Sequence, residues 1–296
     1  MRFLFVDRIL ALSSAAGSIC GIKHITPADY YLSSDELERQ YFIPALIGET
    51  LGQMTAWAAM ERSEFRLRPV AGIVESVTMS RPAYVGETLE LESWIDALDD
   101  TAVEYHGEVR IGSEVIFRLE GALGPMLPMD HFIDPTTVRR QFAEINRPGE
   151  WPYRSSVSSS CMTAESQHSI CLQFDHITQH EPGVGLTAVK HVSRAAPYFA
   201  DHFPHKPVLP LTILLECKMN LAKEFLRQAG WGDAYSVRSI RRIKMSDFVS
   251  PGDVVICQVS VKSQTAQELI LRYISSVAGK RICGLEMVLV GAESKK

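Results

Sequence analysis

The sequence predicts an α+β protein built twice over, each half an antiparallel sheet wrapped around one apolar helix. Three observations carry this reading. Landmarks recur at a nearly constant offset, each half holds one long apolar run of helical length, and short alternating segments with glycine turns surround that run.

The repeat is the strongest of the three. Lys23-His24-Ile25-Thr26 returns as Lys190-His191-Val192-Ser193, an offset of 190 − 23 = 167. Glu49 and Glu216 keep the same offset (216 − 49 = 167), and Met79-Ser80 returns as Met245-Ser246 at 245 − 79 = 166. Val6-Asp7-Arg8-Ile9 corresponds to Phe174-Asp175-His176-Ile177, and the turn Val85-Gly86-Glu87 to Pro251-Gly252-Asp253. The chain is therefore divided into a first unit at 1–125, a crossover at 126–165 and a second unit at 166–296. Pro135, Pro148, Pro152 and the serine-rich tract 155–160 mark the crossover as a linker or surface excursion.

Within the first unit, alternation predicts strands over 3–12 and 19–26, then one helix over 43–61 carrying Pro44, Leu46, Ile47, Glu49, Leu51, Met54 and Trp57. Strands follow at 73–80, 88–98, 102–111 and 115–123, with Gly112-Ser113 as a tight turn. The second unit repeats the scheme. Strands are expected at 169–174 and 185–193, a helix at 210–228, then strands at 236–246, 254–263, 268–277 and 282–291, with Ala278-Gly279 turning the last hairpin before Lys280. A sheet that must cover an apolar helix on one face gives the wrapped α+β architecture.

Composition narrows the partners. The 296 residues, 46% of them hydrophobic, suffice for one large or two medium cores. A formal net charge of −5 gives no electrostatic case for nucleic acid. No apolar run approaches the roughly 20 residues that cross a bilayer. Asp7 and Arg8 bring charge too early for a secretory segment. Cys20, Cys161, Cys171, Cys217, Cys257 and Cys283 lack metal-type spacing and read as reduced thiols, which places the expected location in the cytoplasm. Cys217 beside Glu216 reads as core filler. Neither a cofactor nor a metal is expected.

Chemistry concentrates in two places. His202-Phe203-Pro204-His205-Lys206-Pro207-Val208-Leu209-Pro210 places an imidazole in a proline-stiffened loop that feeds the second helix, so the ring is held rather than free to sample solvent. Glu49 and Glu216 are lone acids on the two apolar helices. Burial raises the pKa of such a carboxyl, and a protonated acid near neutral pH can deliver a proton. His202 and His205 form His-x-x-His, but no third ligand of suitable spacing accompanies them. His24, His191 and Lys190 fall in strands and read as sheet-surface or packing residues.

The His202 loop, with an acid fourteen residues on (216 − 202 = 14), resembles the active-site loop and helix of the hot-dog-fold 3-hydroxyacyl-(acyl carrier protein) dehydratases. The Val6-Asp7-Arg8-Ile9 start and the Arg81-Pro82…Gly86-Glu87 segment are similar to that family's opening strand and its Arg-Pro…Gly-Asp strand. The resemblance implies a double hot dog with the site between its halves. His202 of the second half is then paired with Glu49 of the first, and Phe203, Pro210 and Leu211 contact substrate. It further implies that a 3-hydroxyacyl thioester on acyl carrier protein or CoA is dehydrated to a trans-2-enoyl thioester. Glu216 would face a second site whose histidine position, 202 − 167 = 35, is Asp35, a residue in a polar segment without the prolines, so that site is expected to be degenerate. Two family glycines are replaced, by His205 and Leu211, and side chains there are expected to narrow the site.

Arg238, Arg241, Arg242 and Lys244 offer a basic stretch that could steer an acidic carrier, although strict alternation turns Arg241 away from the other three. Two other functions stay open, a hot-dog acyl thioesterase and a catalytically inactive acyl-binding or scaffold subunit. Pairing of two double hot dogs into a homodimer is also open.

Overall fold

The computed structural model describes residues 3–151, 172–265 and 267–291, apart from the Asp233 side chain. Cys161, Cys171, Pro152 and the serine tract lie outside the described residues. The first half runs β1 (Arg8–Ser13), β2 (Ser18–His24), β3 (Leu32–Ser34), β4 (Gln40–Phe42), α1 (Pro44–Arg62), β5 (Leu67–Pro69), β6 (Ile73–Met79), β7 (Ala83–Tyr84), β8 (Thr88–Leu98), β9 (Ala102–Ile111) and β10 (Glu114–Pro128). A 3-10 turn (Met129–His131) and α2 (Pro135–Ile145) come next. The second half runs β11 (His176–Glu181), β12 (Gly185–His191), α3 (Leu211–Gln228), β13 (Tyr235–Met245), β14 (Val254–Gln264), β15 (Glu268–Val277) and β16 (Lys280–Gly291), with short 3-10 turns at Pro197–Ala200 and Gly232–Ala234.

One antiparallel sheet crosses both halves in the order β1-β2-β8-β9-β10-β6-β13-β16-β15-β14-β12-β11, with β5 added on β10. Read from either end, the order is the same list of equivalent strands, as the repeat requires. The seam is the pair β6 and β13, where Val77 lies opposite Ile240 and Val74 opposite Ile243. The architecture is the double hot dog expected from the sequence.

Each helix fills the concave face of its half. On α1, Leu46, Leu51 and Met54 are 0% exposed, and each such side chain taken from water contributes roughly 1.5–3 kcal/mol. Two strand glycines let the helix come this close. A Cβ at Gly21 of β2 would fall 2.3 Å from the Met54 Cε, and one at Gly107 of β9 would fall 3.2 Å from the Leu51 Cδ1. Among the described residues no helix is long and apolar enough to cross a membrane.

Two parts differ from the sequence expectation. The stretch after β10, read as a linker or surface excursion, is a helix-bearing excursion over the surface that stays packed through residue 149. Asp134 caps α2 by accepting the Thr137 N–H at 2.7 Å, and Pro135 sits at the first helical position, where its missing N–H is no loss. Pro135, one of the prolines that suggested a linker, therefore starts a helix, whose Phe142 packs on Trp57 and Phe65. Residues 146–149 then run along the β1 edge, Asn146 bridging Ile9 and the Gly149 N–H donating to the Leu10 carbonyl at 3.0 Å, which covers an otherwise open edge.

The strand expected at 169–174 is the second difference. Residues 172–174 are not a strand, 169–171 lie outside the described residues, and the strand begins instead at His176. Side chains take the carbonyls a ladder would have used, Asn220 donating to Leu172 and Lys190 to Gln173. The true strand, β11, is an almost wholly exposed polar edge, so it carries little hydrophobic signal.

Candidate active site

The His202 loop is fixed from three sides. The His202 N–H donates to the Tyr198 carbonyl at 3.0 Å, the Leu209 N–H to the Val249 carbonyl at 2.8 Å, and the His205 N–H to the carbonyl of Phe132, in the crossover, at 2.9 Å. Phe203 takes a left-handed backbone, φ 58°, which a bulky residue adopts only when its surroundings impose it. Here the ring is held between neighbours. It stacks on His202 at 4.2 Å, packs on Phe132 at 4.7 Å, and carries the Arg68 guanidinium over its face at 4.4 Å.

Nδ1 of His202 lies 3.0 Å from the Val208 carbonyl oxygen. A carbonyl only accepts, so in the neutral ring Nδ1 carries the proton and Nε2 is the free base. Burial pushes the His202 pKa down to about 3, the Arg68 cation adds to the shift, and the Val208 bond opposes it. The ring is thus neutral at physiological pH.

Glu49 reaches the same place from α1. Its Oε2 accepts the Thr212 hydroxyl of α3 at 2.7 Å, and its Oε1 accepts the Gln53 amide at 3.0 Å. Burial raises its pKa, while the Thr212 and Gln53 hydrogen bonds and the Arg68 charge hold the rise back. His202, Phe203, Glu49, Gln53, Arg68, Leu211 and Thr212 all line one cavity of about 180 Å³, whose remaining wall is largely apolar and includes Val77, Phe117, Met219 and Ile240. Gly48 and Gly52 open the α1 face of this space.

The structure thus gathers His202, Glu49, Phe203 and Leu211 from the sequence-derived set. Pro210 does not join them. It is the buried N-cap of α3 and is absent from the cavity wall, because the chain turns there to start the helix. His205 does not narrow the site either, since its Nδ1 bonds the Asp130 carbonyl and its ring is not part of the lining; Leu211 does line it. Asp35 is tied down by Arg39 at 2.7 Å and by the Tyr84 hydroxyl at 3.2 Å. Glu216 accepts the Ala45 N–H at 3.3 Å, which supplies a partner to an orphan donor in the first turn of α1. Burial raises the Glu216 pKa and the Ala45 bond opposes that rise.

The basic stretch is also rearranged. Arg241 and Arg242 both bond Glu286, at 3.1 and 3.2 Å, and Lys262 joins them at 2.5 Å. Alternation fails because β13 carries a register shift between Arg241 and Lys244, with Arg242 at φ 55°; such a bulge brings neighbours to one face.

Sequence reasoning missed Arg68, Gln53 and Thr212. Gln53 was findable, one helical turn after Glu49. Arg68 sits in Arg66-Leu67-Arg68-Pro69, where nothing distinguishes it from a solvated cation.

A wrapped helix in each half defines a double hot-dog protein, and a histidine of one half and a carboxyl of the other line one cavity between them. Comparison with known proteins agrees. The ApeI-like family, described as ApeI dehydratase, matches residues 178–284. The 3-hydroxyacyl-(acyl-carrier-protein) dehydratase FabZ of Klebsiella pneumoniae is 31% identical over 121 residues, 40% of this chain and 80% of the relative. FabZ of Pediococcus pentosaceus is 27% identical over 128 residues, 42% and 86% of the two chains. An acyl-ACP thioesterase structure from Bacteroides thetaiotaomicron superposes with a TM-score of 0.53 at 12% identity, over 94% of this chain and 100% of that one, a likeness of fold. The chain belongs to the FabZ-like hot-dog family.

Proposed function

We propose that this chain dehydrates a 3-hydroxyacyl thioester, borne by an acyl carrier protein or CoA, to a trans-2-enoyl thioester. The observation that carries the reading is the pairing of a neutral imidazole, Nε2 free, with a buried carboxyl of raised pKa on the wall of one largely apolar cavity. His202 Nε2 takes the proton from C2, and the electron pair moves toward the thioester oxygen. N–H groups in the first turn of α3, which lack intrahelical acceptors, and the positive end of its dipole stabilise that oxygen. As the C2–C3 double bond forms, the C3–O bond breaks and Glu49 protonates the departing hydroxyl, releasing water. Proton transfer from the imidazolium to the Glu49 carboxylate restores the site.

Family membership supports acyl-thioester chemistry, and the apolar wall suits an acyl chain. The test is product analysis on 3-hydroxyacyl thioesters of increasing length. An enoyl thioester is expected from the parent chain and from Asp35→Ala, with a loss of about 10²–10⁴-fold in His202→Ala. Release of free acid and thiol instead would mark a thioesterase, and absence of any product would mark a binding subunit.

A further inference from the structure

The reading above leaves Arg68, on the wall of the same cavity, without a task. Its Nε is fully enclosed and has no hydrogen-bond partner. No acid lies within ion-pair distance of its guanidinium among the described residues. Taking a cation out of water without a carboxylate partner is costly. The structure nevertheless builds a seat for it. β5 pairs with the end of β10, Arg68 lying opposite Leu127, and the guanidinium rests 4.4 Å over a Phe203 ring whose backbone is held at φ 58°. The stacked His202 ring shares that platform. Burial lowers the Arg68 pKa to about 10, with Glu49 opposing the shift, so the side chain stays charged and electrostatically coupled to the acid.

The oxygens of the proposed substrate decide what it meets. The thioester oxygen has the α3 amides. The 3-hydroxyl, one carbon beyond C2, lies on the Glu49 side, and both Glu49 oxygens already accept donors from Thr212 and Gln53. Glu49 can hand the hydroxyl a proton but cannot by itself fix the angle at which the C3–O bond leaves. We propose that the terminal N–H groups of the Arg68 guanidinium, on the cavity wall, donate a hydrogen bond to the 3-hydroxyl oxygen of the substrate, making Arg68 the residue that reads a 3-hydroxyacyl chain against a saturated one and that stabilises the oxygen as it departs. This rests on the dehydratase reading and names the group that gives it selectivity.

Binding separates the inference from that reading, because it needs no turnover. The probes are octanoyl and 3-hydroxyoctanoyl pantetheine, each with its thioester sulfur replaced by NH, titrated calorimetrically into the full chain. The parent protein prefers the hydroxylated probe. In Arg68→Met that preference falls roughly tenfold or more, the effect of losing a hydrogen bond to a charged donor, while the octanoyl probe binds as before. Where Arg68→Met does not fold, Arg68→Lys carries the test, since lysine keeps the charge but replaces the planar fork of donors by a single ammonium, and the preference falls likewise. An undiminished preference in the folded variant, or none in the parent protein, overturns the assignment. A parent protein that prefers the hydroxylated probe yet forms no enoyl product would overturn the dehydratase reading and leave the Arg68 contact standing.

Discussion

Glu49 of the first half accepts the hydroxyl of Thr212 of the second at 2.7 Å, and Glu216 accepts the N–H of Ala45 at 3.3 Å. The two contacts are one contact made twice, since 212 − 45 and 216 − 49 are both 167. Each acid reaches the first turn of the other half's helix. What separates them is company: Glu49 lies on the wall that also holds His202, whereas Asp35, at the position matching His202, is bonded to Arg39 and Tyr84.

The equivalent acids should therefore respond differently to mutation. Glu49→Gln is expected to lower kcat by about 10²-fold or more, as loss of a proton donor does, with little change in melting temperature. Glu216→Ala should leave turnover near that of the parent but cost about 1–3 kcal/mol of stability, because a buried N–H loses its acceptor. Denaturant unfolding alongside steady-state kinetics would reveal the reverse pattern if the roles were exchanged.

The pH profile follows from the signs of the two shifts. His202 must be neutral to act as base, and its pKa is pushed down to about 3 by burial and by Arg68; activity should therefore persist below the ordinary histidine range of about 6.5. Glu49 must be protonated, and burial raises its pKa. Rate should thus fall as pH rises through that raised value. Thr212→Val removes a donor that favours the carboxylate, so it should move this alkaline limb upward. A limb that stays fixed in Thr212→Val would show that it belongs to another group.

Gly52 lines the cavity, and a Cβ there would meet only the Tyr105 hydroxyl, at 3.5 Å. Gly52→Ala should fold and gain up to about 1 kcal/mol of helix stability. Gly52→Leu should intrude into the cavity and shorten the longest acyl chain turned over. A length profile identical to the parent's would mean the chain lies elsewhere.

Carrier recognition is testable at Arg238 and Arg242, both exposed. Replacing both by glutamine should slow association with an acidic carrier protein and flatten its salt dependence. Arg241 is the poorer choice, since it is half-buried, although it shares the Glu286 partner with Arg242. Surface plasmon resonance at two ionic strengths decides, and unchanged association rates would dismiss the patch.

Much of this was legible in the sequence because duplication writes each element twice. The repeat located both helices and both acids, and the proline-bound His202 announced itself. Arg68 did not, because its part depends on where β5 docks and on the Phe203 ring it covers, neither of which has a period. The α2 helix was hidden by reading Pro135 as a breaker when Asp134 makes it a starter. Arg241 was misplaced because a bulge at Arg242 breaks the two-residue rhythm on which facing is inferred.

The seam between β6 and β13 has a consequence for how the protein could be cut. Each half severed from the other would present a bare, fully formed strand edge next to an unsealed apolar hollow, a surface that invites indiscriminate pairing. Halves produced alone should precipitate or pair with themselves, and the same halves produced together should find each other and regain a working centre. Joined in one polypeptide, the two units always meet in equal number and as unlike partners. An imidazole is then needed on only one side of the seam, and the other side is at liberty to change.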